Sequence, residues 1–346
     1  MQSDELGVLR ASVIEHARGM FACMDEAAEI NTKKVLDAMR ECRVSDAHFG
    51  VSAGYAYSDL GREKLDELYA RVFGAERALV RTQFVSGTHA LATVLFGILR
   101  PGDRLVSITG VPYDTMQTVI GWAHESVGSL KEFGVFYDEL PMQDGHVDLA
   151  GIDRIVTART KVALVQRSRG YSEREPLSIE DIRAVSARIK AANPSCVVFV
   201  DNCYGEFVDT VEPTEIPTVD IMAGSLIKNP GGGLAPTGGY IAGRSDLVEM
   251  ASYRLTAPGM GDELGASLIS NRLLFQGLFL APHVVAQALK GAVFAAGIFE
   301  GLGCHTFPRF TDARSDIIQA IVLGDAERMK AFARAIQAMS PVDAFA

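Results

Sequence analysis

The pattern of apolar and polar positions changes twice along the chain. Over the first fifty residues, apolar side chains such as Val8, Ile14 and Val35 recur at near-helical spacing, which predicts amphipathic helices. A central part then alternates short apolar runs with helix-like stretches, and the remainder is helical again. We therefore predict a helical arm over 1–50, a large α/β domain over 51–255, and a C-terminal helical region with the start of a smaller domain over 256–346.

The central domain contains strand-like runs separated by helical ones. Six runs rich in Val, Ile and Ala have strand character: RALVRTQ, RLVSIT, KVALVQR, CVVFVD, DIMAGS and GGYIAG. Helical stretches such as SGTHALATVLFGIL and SIEDIRAVSARIKAA lie between them. Strands joined by helices require crossover connections, which place parallel strands in one sheet with helices on both faces. The pattern predicts a doubly wound α/β fold with a mostly parallel sheet.

Composition excludes some functions. The 346 residues carry a formal net charge of −10, so broad binding to nucleic-acid phosphates is not expected. The sequence begins MQSDE, with no basic segment followed by an apolar one, so we predict no signal peptide and a cytoplasmic location. The most apolar stretch, 277–299, is interrupted by Pro282, His283 and Lys290, which predicts a buried helix and not a membrane span.

Cysteine and histidine usage narrows the chemistry further. The five cysteines form no CxxC pair and are odd in number, which indicates a reducing compartment and neither a disulfide framework nor a zinc site. The seven histidines lack metal-ligand spacing, so no metal is predicted. Cys196 and Cys203, which flank the CVVFV strand, are most simply core side chains, with a catalytic cysteine as the alternative.

Ligands of such sheets bind at the carboxyl ends of the strands, so the residues after each strand are the candidates. Ser86, Gly87 and Thr88 open a helix, where N–H groups and hydroxyls can hold a phosphate; a plain helix cap is the alternative. Asp201 ends the CVVFV strand and requires a positive partner, unless it is a solvent-facing turn residue. Tyr204 follows as a polar contact or a half-buried ring.

A further group follows the DIMAG strand. Ser225 ends that strand, and Lys228 precedes Asn229-Pro230 and a run of three glycines. Asn229 is held out of helical conformation by the proline, while the glycines allow close approach of the backbone. A lysine in a dry pocket can bond covalently to a carbonyl carbon, whereas most lysines only solvate a surface.

Together these residues meet the needs of pyridoxal phosphate: a cradle for the phosphate, a carboxylate for the pyridine nitrogen and a lysine for the aldehyde. Tyr113, after the RLVSIT strand, can cover one face of the ring, or else is a loop tyrosine. Arg167 and Arg169 follow KVALV and could contact a cofactor oxygen or a substrate carboxylate, unless they pair with Glu173 or Glu175.

A resemblance to the bacterial methionine gamma-lyase family, also called aluminium resistance proteins, covers about residues 25 to 345. The segments that carry it are GYAYSDLGREKLDELYARVFGAE, VSGTHA, QRSRGY, VDNCYGEF, AGSLIKNPGGGLAPTGGYIAG and FQGLFLAPH. The resemblance implies a fold-type-I, transferase-like pyridoxal phosphate enzyme related to the cystathionine lyases, with a seven-stranded, mostly parallel sheet. Because family members usually continue for several dozen residues more, it also implies a small C-terminal domain that is incomplete here.

The resemblance also implies roles for individual residues. Lys228 corresponds to the lysine bound to the cofactor, Asp201 to the partner of the pyridinium nitrogen and Tyr113 to the stacking ring. The residues around the phosphate would be Ser86, Gly87, Thr88 and Ser225. In related lyases a tyrosine and an arginine of the neighbouring subunit also reach the phosphate, which implies a homodimer or homotetramer. The candidates here are Tyr55, Tyr57 and Arg62.

We therefore expect a pyridoxal phosphate-dependent carbon–sulfur lyase acting on a sulfur-containing amino acid, by elimination of the methionine gamma-lyase or cystathionine lyase type. Lys228 would act as the general base at Cα. Another pyridoxal phosphate reaction, such as that of an aldolase, racemase or aminotransferase, is one alternative. A protein that binds the cofactor without turnover is another. No nucleic-acid or membrane partner is expected.

Overall fold

The computed structural model describes residues 3–55, 58–122, 126–170, 172, 174–267 and 271–345. The α-helices in this part of the chain are α1 Ser3–Glu41, α2 Leu60–Val72, α3 Gly87–Ile98, α4 Asp114–Ile120, α5 Leu149–Ile155, α6 Ile179–Ala192, α7 Ser245–Leu255, α8 Asn271–Gly301 and α9 Ala326–Met339. The strands are β1 Arg77–Arg81, β2 Arg104–Ser107, β3 Phe136–Glu139, β4 Thr160–Gln166, β5 Val197–Asp201, β6 Ile221–Ser225, β7 Gly239–Gly243, β8 His305–Phe307 and β9 Ala320–Val322. Short 3-10 helices cover Asp46–Phe49, Pro213–Glu215 and Asn229–Gly231.

Strands β1 to β7 form one sheet in the order β1-β7-β6-β5-β4-β2-β3. The pairs from β3 through β2, β4 and β5 to β6 are parallel. Strand β7 is antiparallel to both of its neighbours, β6 and β1. The predicted α/β class, with a seven-stranded and mostly parallel sheet, is therefore confirmed.

Each of the six predicted strands corresponds to a strand of this sheet, because each is a continuous apolar run buried on both faces. The sequence prediction missed β3. Its residues, FYDE, are partly exposed at the sheet edge and contain only two aromatic side chains among acidic ones. An edge strand of this kind lacks the apolar run that identifies a central strand.

The core lies on both faces of the sheet, as alternation along the strands requires. On β5, Val198 and Val200 pack into one apolar cluster, while Val197 and Phe199 pack into the other. The first cluster includes side chains of α2 and α6, and the second is built largely on α3 and α7. Both layers bury the strands and leave the strand ends to form a site.

The two longest helices were predicted only in outline. The N-terminal arm is one helix, α1, in place of the several helices that the sequence predicts. Helix α8 is long and apolar enough to cross a membrane by length and composition alone. However, Phe275, Leu278 and Val285 on α8 are fully buried in the main apolar cluster, which is the placement of a core helix.

The described chain divides into two compact units. The larger contains Cys23–Leu289 with Arg314–Ile318 and carries the whole seven-stranded sheet. The smaller contains the chain up to Ala22, Lys290–Ala313 and the part from Gln319 onward. Within the smaller unit, β8 and β9 form an antiparallel pair. The division into segments 1–50, 51–255 and 256–346 stays a prediction.

Candidate active site

Three chain segments meet at the carboxyl edge of the sheet. Gly87 begins α3, and the hydroxyl of Ser86 caps this helix by accepting a hydrogen bond from the N–H of His89 (3.1 Å). Asp201 is the last residue of β5 and Ser225 the last of β6. The helix-cap alternative for Ser86 is thus correct, and it leaves the other N–H groups at this helix start available for an anion.

The segments that carry Ser225, Cys203 and Lys228 come close to the start of α3 at Gly87. A Cβ atom at this position would lie 3.1 Å from Ser225 Cβ, 3.5 Å from Cys203 Sγ and 3.8 Å from Lys228 Nζ. Ser225 Oγ is fully buried and has no hydrogen-bond partner among the described residues. A buried hydroxyl of this kind costs free energy unless a ligand satisfies it. The helix start, Ser225 and Lys228 therefore enclose a space suited to an anionic group.

The carboxylate of Asp201 is buried at this edge and accepts a hydrogen bond from the N–H of Cys203 (3.1 Å). Burial raises the pKa of Asp201, while Lys228 and the N–H of Cys203 act to lower it. The result is a carboxyl group in a dry environment whose negative charge is stabilised by a cation in the site. The solvent-facing alternative for Asp201 is wrong.

Lys228 is half-buried, and its ammonium lies 4.0 Å from the centroid of the Tyr204 ring, at cation–π distance. Burial lowers the pKa of Lys228, but Cys203, Asp201 and Tyr204 raise it, and the net shift is upward. Tyr204 has a left-handed backbone with φ of 71°, a strain of roughly 1 kcal/mol for a residue with a side chain. This conformation places the ring against the lysine, so Lys228 is packed against a neighbouring side chain and is not a freely solvated surface lysine.

The turn after Lys228 depends on close backbone contacts. Gly232 and Gly233 have φ of 54° and 74°, a region that favours glycine. A Cβ on Gly231 would clash with the carbonyl of Leu226, and one on Gly232 with the carbonyl of Gly277 in α8. A Cβ on Gly277 would in turn clash with the carbonyl of Gly231. The glycine run therefore allows the chain to pass directly beneath the lysine and against α8.

Tyr113 lies at the start of α4. Its hydroxyl is 3.5 Å from Thr88 Oγ1, and its N–H donates to Gln166 Oε1 (3.3 Å). Burial and the nearby Asp201 raise the pKa of Tyr113. The structure therefore brings Tyr113 together with Thr88 and Asp201, as the sequence predicted; stacking on a ring stays a prediction.

The arginines differ from the prediction. The guanidinium of Arg167 is fully buried behind the strand ends, where it donates to Asn202 Oδ1 (2.9 Å), the carbonyl of Gly205 (2.9 Å) and Asp209 (2.6 Å). This placement contradicts a ligand contact, and it also contradicts pairing with Glu175. Arg169 is buried and donates to the carbonyl of Ser172. Both arginines organise the chain around the site; Glu173 lies outside the described residues.

The structure describes two of the three residues predicted to reach a neighbouring subunit, Tyr55 and Arg62. The guanidinium of Arg62 is buried and donates to the carbonyl groups of Gly54 (3.3 Å) and Glu263 (2.6 Å), which ties two loops of its own chain together. Tyr55 is 87% exposed, as a residue that reaches outward would be. Tyr57 lies outside the described residues. A role for these residues in another subunit stays a prediction.

The sequence prediction did not name Gln166, Arg174 or Cys203 as polar contacts of the site. Gln166 binds Tyr113, and Arg174 donates to the carbonyls of Gln166 (2.7 Å) and Ser168 (2.5 Å). Burial lowers the pKa of Arg174 to about 10, whereas Asp201 and Asp316 raise it. Cys203, interpreted as core, faces Gly87 and Lys228. These residues lie at the end of a strand or in the segment that follows it. Such a position could have indicated them, but it does not say which way a side chain points.

The sheet order and the position of the site define the fold of the fold-type-I pyridoxal phosphate enzymes. The family model for methionine gamma-lyase matches residues 8–346, and the chain belongs to this family of carbon–sulfur lyases.

Relatives of high identity support this assignment. A Listeria monocytogenes structure provisionally described as a cystathionine beta-lyase involved in aluminum resistance is 51% identical, with a TM-score of 0.95 over 98% of this chain and 84% of that one. A carbon-sulfur lyase involved in aluminum resistance from Clostridium novyi is 45% identical, with a TM-score of 0.96 over 99% and 82%. The uncharacterized protein YnbB of Bacillus subtilis is 48% identical over 94% of this chain and 78% of its own length. The predicted family is confirmed.

Proposed function

We propose that this protein binds pyridoxal phosphate and uses it to cleave a carbon–sulfur bond in a sulfur-containing amino acid. The convergence of Gly87, Ser225 and Lys228 at the strand ends is the observation that carries the proposal. A buried hydroxyl without a partner among the described residues, the start of a twelve-residue helix and a half-buried amine fit one ligand with an anionic group and an aldehyde.

Each part of the cofactor has a matching group in the chain. Ser86, Gly87, Thr88 and Ser225 would hold the phosphate. Asp201 would keep the pyridine nitrogen protonated, since its charge is the buried anion at this edge of the sheet. Tyr113 and Tyr204 would flank the ring, and Lys228 would bond to the aldehyde carbon. When bound, the cofactor supplies an electron sink for the electron pair left at Cα.

The residues of the chain account for the proton transfers. Lys228 Nζ is the basic group of the site, and we assign it the removal of the Cα proton. Its raised pKa means that the amine holds a proton once it has taken one. Tyr113 keeps its phenolic proton because burial and Asp201 raise its pKa, so its hydroxyl can donate a hydrogen bond to a sulfur or carboxylate oxygen.

A spectrum and a covalent tag test the cofactor assignment. Purified protein mixed with pyridoxal phosphate should develop a visible absorbance band. Borohydride reduction should leave the cofactor covalently attached, as a tag, to the peptide that contains Lys228. Lys228→Ala should abolish both, because no other amine lies at the site among the described residues. Lys161→Ala is the matched control, since Lys161 is exposed on β4. A band and tag that persist in Lys228→Ala would contradict the assignment.

Product analysis tests the reaction. With a sulfur amino acid, lyase action releases a thiol, ammonia and a keto acid in equal amounts. An aminotransferase would instead require a keto-acid acceptor, and an aldolase or racemase would release no thiol. A visible band that no amino acid alters would indicate cofactor binding without turnover.

The same proposal includes the location, the substrate class and the assembly of the protein. We place the protein in the cytoplasm, acting on a small amino-acid substrate, as a homodimer or homotetramer without nucleic-acid or membrane partners. Sedimentation of the purified chain tests the assembly, and a monomer that retains full activity would contradict it.

A further inference from the structure

A second buried carboxyl group, Glu206, lies beneath the turn that carries Lys228. It follows β5 in the segment 202–212 and is fully buried. The side-chain N–H of Asn229, the residue after Lys228, donates to the main-chain carbonyl of Glu206 (2.9 Å). Tyr69 on α2 approaches the same turn and donates to the carbonyl of Pro230 (3.4 Å). The turn is therefore held by the main chain of Glu206 and by the hydroxyl of Tyr69.

The carboxyl group of Glu206 has one hydrogen-bond donor. Tyr240 on β7 donates its hydroxyl to Oε1 (2.8 Å). Gly224 on β6 leaves the space for this pair, because a Cβ there would lie 2.6 Å from Oε1 and 2.8 Å from the Tyr240 hydroxyl oxygen. The other oxygen, Oε2, is buried and has no partner among the described residues, and the same holds for Asn229 Oδ1. A proton on Oε2 removes one of these two unsatisfied acceptors.

Glu212, in the same segment, shows what a buried carboxylate requires. Its Oε1 accepts from the N–H of Phe207 (2.8 Å) and its Oε2 from Asn202 (2.9 Å). Burial raises the pKa of Glu212, and the nearby cation of Arg167 acts against that rise. Glu206 has neither a second donor from another residue nor an ion pair among the described residues. The two acids, six positions apart, are therefore both buried, but the chain supplies more stabilisation to the charge of Glu212.

The groups that face Glu206 favour its neutral form. Burial raises the pKa of Glu206 to about 8, and the charge of Glu212 adds to this effect. The N–H of Glu206 itself, the hydroxyl of Tyr240 and the more distant Lys228 act in the opposite direction. Tyr69 and Cys203 hold their own protons, because burial raises the pKa of each. A neutral acid is thus surrounded by neutral hydroxyl and thiol groups.

We propose that Glu206 is a positioning residue, held as an uncharged carboxylic acid beneath the Lys228 turn, and that loss of its proton loosens this turn at alkaline pH. The protonation of Glu206 and its effect on stability stand independently of the proposed function. The effect on cofactor retention rests on that function, since it requires Lys228 to hold pyridoxal phosphate.

The sign of the effect on stability follows from proton linkage. A glutamate in the unfolded chain loses its proton near its ordinary pKa of 4.5, whereas Glu206 in the folded chain keeps it up to about pH 8. Between these values the unfolded state binds fewer protons, so the wild-type protein loses stability as the pH rises. Above about pH 8 the loss is complete. Glu206→Gln carries no such proton, so its stability relative to wild type should increase from pH 5 to 8 and then stay level.

The test is thermal unfolding of the purified full-length protein between pH 5 and 9.5. We expect the melting temperature of Glu206→Gln, relative to wild type, to rise with pH over this window. Glu212→Gln is the matched control: it should be less stable than wild type across the range, and its rise should be confined to the acidic end of the window, because Arg167 and two donors offset the effect of burial on the pKa of Glu212. Parallel pH profiles for wild type and Glu206→Gln would overturn the proposal.

A second variant keeps the proposal testable if Glu206→Gln does not fold. Tyr240→Phe removes the donor that favours the charged form, so the alkaline loss of stability should move to higher pH; no movement would count against the proposal. Cofactor retention is followed by the visible band. Wild type should release pyridoxal phosphate about tenfold more readily at pH 9 than at pH 7, and Glu206→Gln should not. The absence of a band in every variant would reject the proposed function, while the unfolding profiles would still decide on Glu206.

Discussion

Two layers of polar residues lie at the carboxyl edge of the sheet, and they differ in how the chain satisfies them. The front layer consists of Gly87, Asp201, Ser225 and Lys228 and includes a buried hydroxyl that has no partner among the described residues. The back layer consists of Arg167, Asn202, Glu206, Glu212 and Tyr240. Its members bind one another and the main chain, with Glu206 Oε2 and Arg167 Nε as the atoms left over.

This difference shows that burial of a polar group does not by itself identify a ligand site. Arg167 is a buried cation and Lys228 a half-buried one, both near strand ends, and sequence position made them equally plausible contacts. Arg167 has three acceptors within its own chain, whereas Lys228 faces a tyrosine ring and lies beside Gly87. The chain supplies acceptors for the guanidinium of Arg167, so this cation stabilises the fold. Lys228 has no comparable set of acceptors among the described residues, so its amine is available to a ligand.

The largest effect is expected for Asp201→Asn in the front layer. Loss of this buried charge removes the partner of the pyridine nitrogen, so turnover should fall by about 100-fold or more, the size seen for loss of one preorganised electrostatic group. Stability should be retained, since the carboxylate is penalised by burial. Steady-state kinetics and thermal unfolding measure the two effects.

Asp209→Asn is the control for that change, because Asp209 pairs with Arg167 in the back layer. It should lower stability and leave the turnover of the folded enzyme nearly unchanged. If both variants lost activity to the same extent, the division into two layers would be incorrect.

Arg167→Met should have the next largest effect, and it should appear in folding. Removing one partner of a buried ion pair leaves Asp209 and Glu212 without their cation, which costs about 3 kcal/mol or more of unfolding free energy. Urea denaturation measures the loss. Arg188→Met is the control, since its pair with Asp153 is exposed and worth about 1 kcal/mol or less. Equal losses for the two variants would contradict the role of Arg167.

The smallest effect is expected for Ser225→Ala. Because Ser225 Oγ has no hydrogen-bond partner in the part of the chain that the structure describes, its removal should leave stability unchanged or slightly increased. The cofactor should bind about tenfold more weakly, the loss of one hydrogen bond to a charged group. Titration with pyridoxal phosphate measures the affinity.

Ser186→Ala is the control for this change, because Ser186 Oγ has a hydrogen-bond partner within the chain, Thr218 Oγ1 (2.6 Å). It should reduce stability by about 1 kcal/mol and leave cofactor affinity unchanged. An unchanged affinity in Ser225→Ala would remove Ser225 from the phosphate site.

The sequence was sufficient for features that depend on local pattern. The apolar runs predicted six strands, and the position after a strand identified Asp201, Ser225 and Lys228. Contacts between distant segments could not be predicted in this way. Arg167 meets Asp209 across 42 residues, and Glu206 meets Tyr240 only because β7 runs antiparallel beside β6. The orientation of a side chain depends on such pairings, which periodicity does not encode.

The contact between Gly277 in α8 and the turn at Gly231 and Gly232 has a consequence for protein engineering. The backbones of α8 and of this turn touch at a distance that leaves no room for a side chain on either one. An alanine at position 277 would therefore push the turn away from α8 and move the residues next to it, Lys228 among them. Position 277 is thus a place from which the reach of Lys228 can be altered without replacing the lysine.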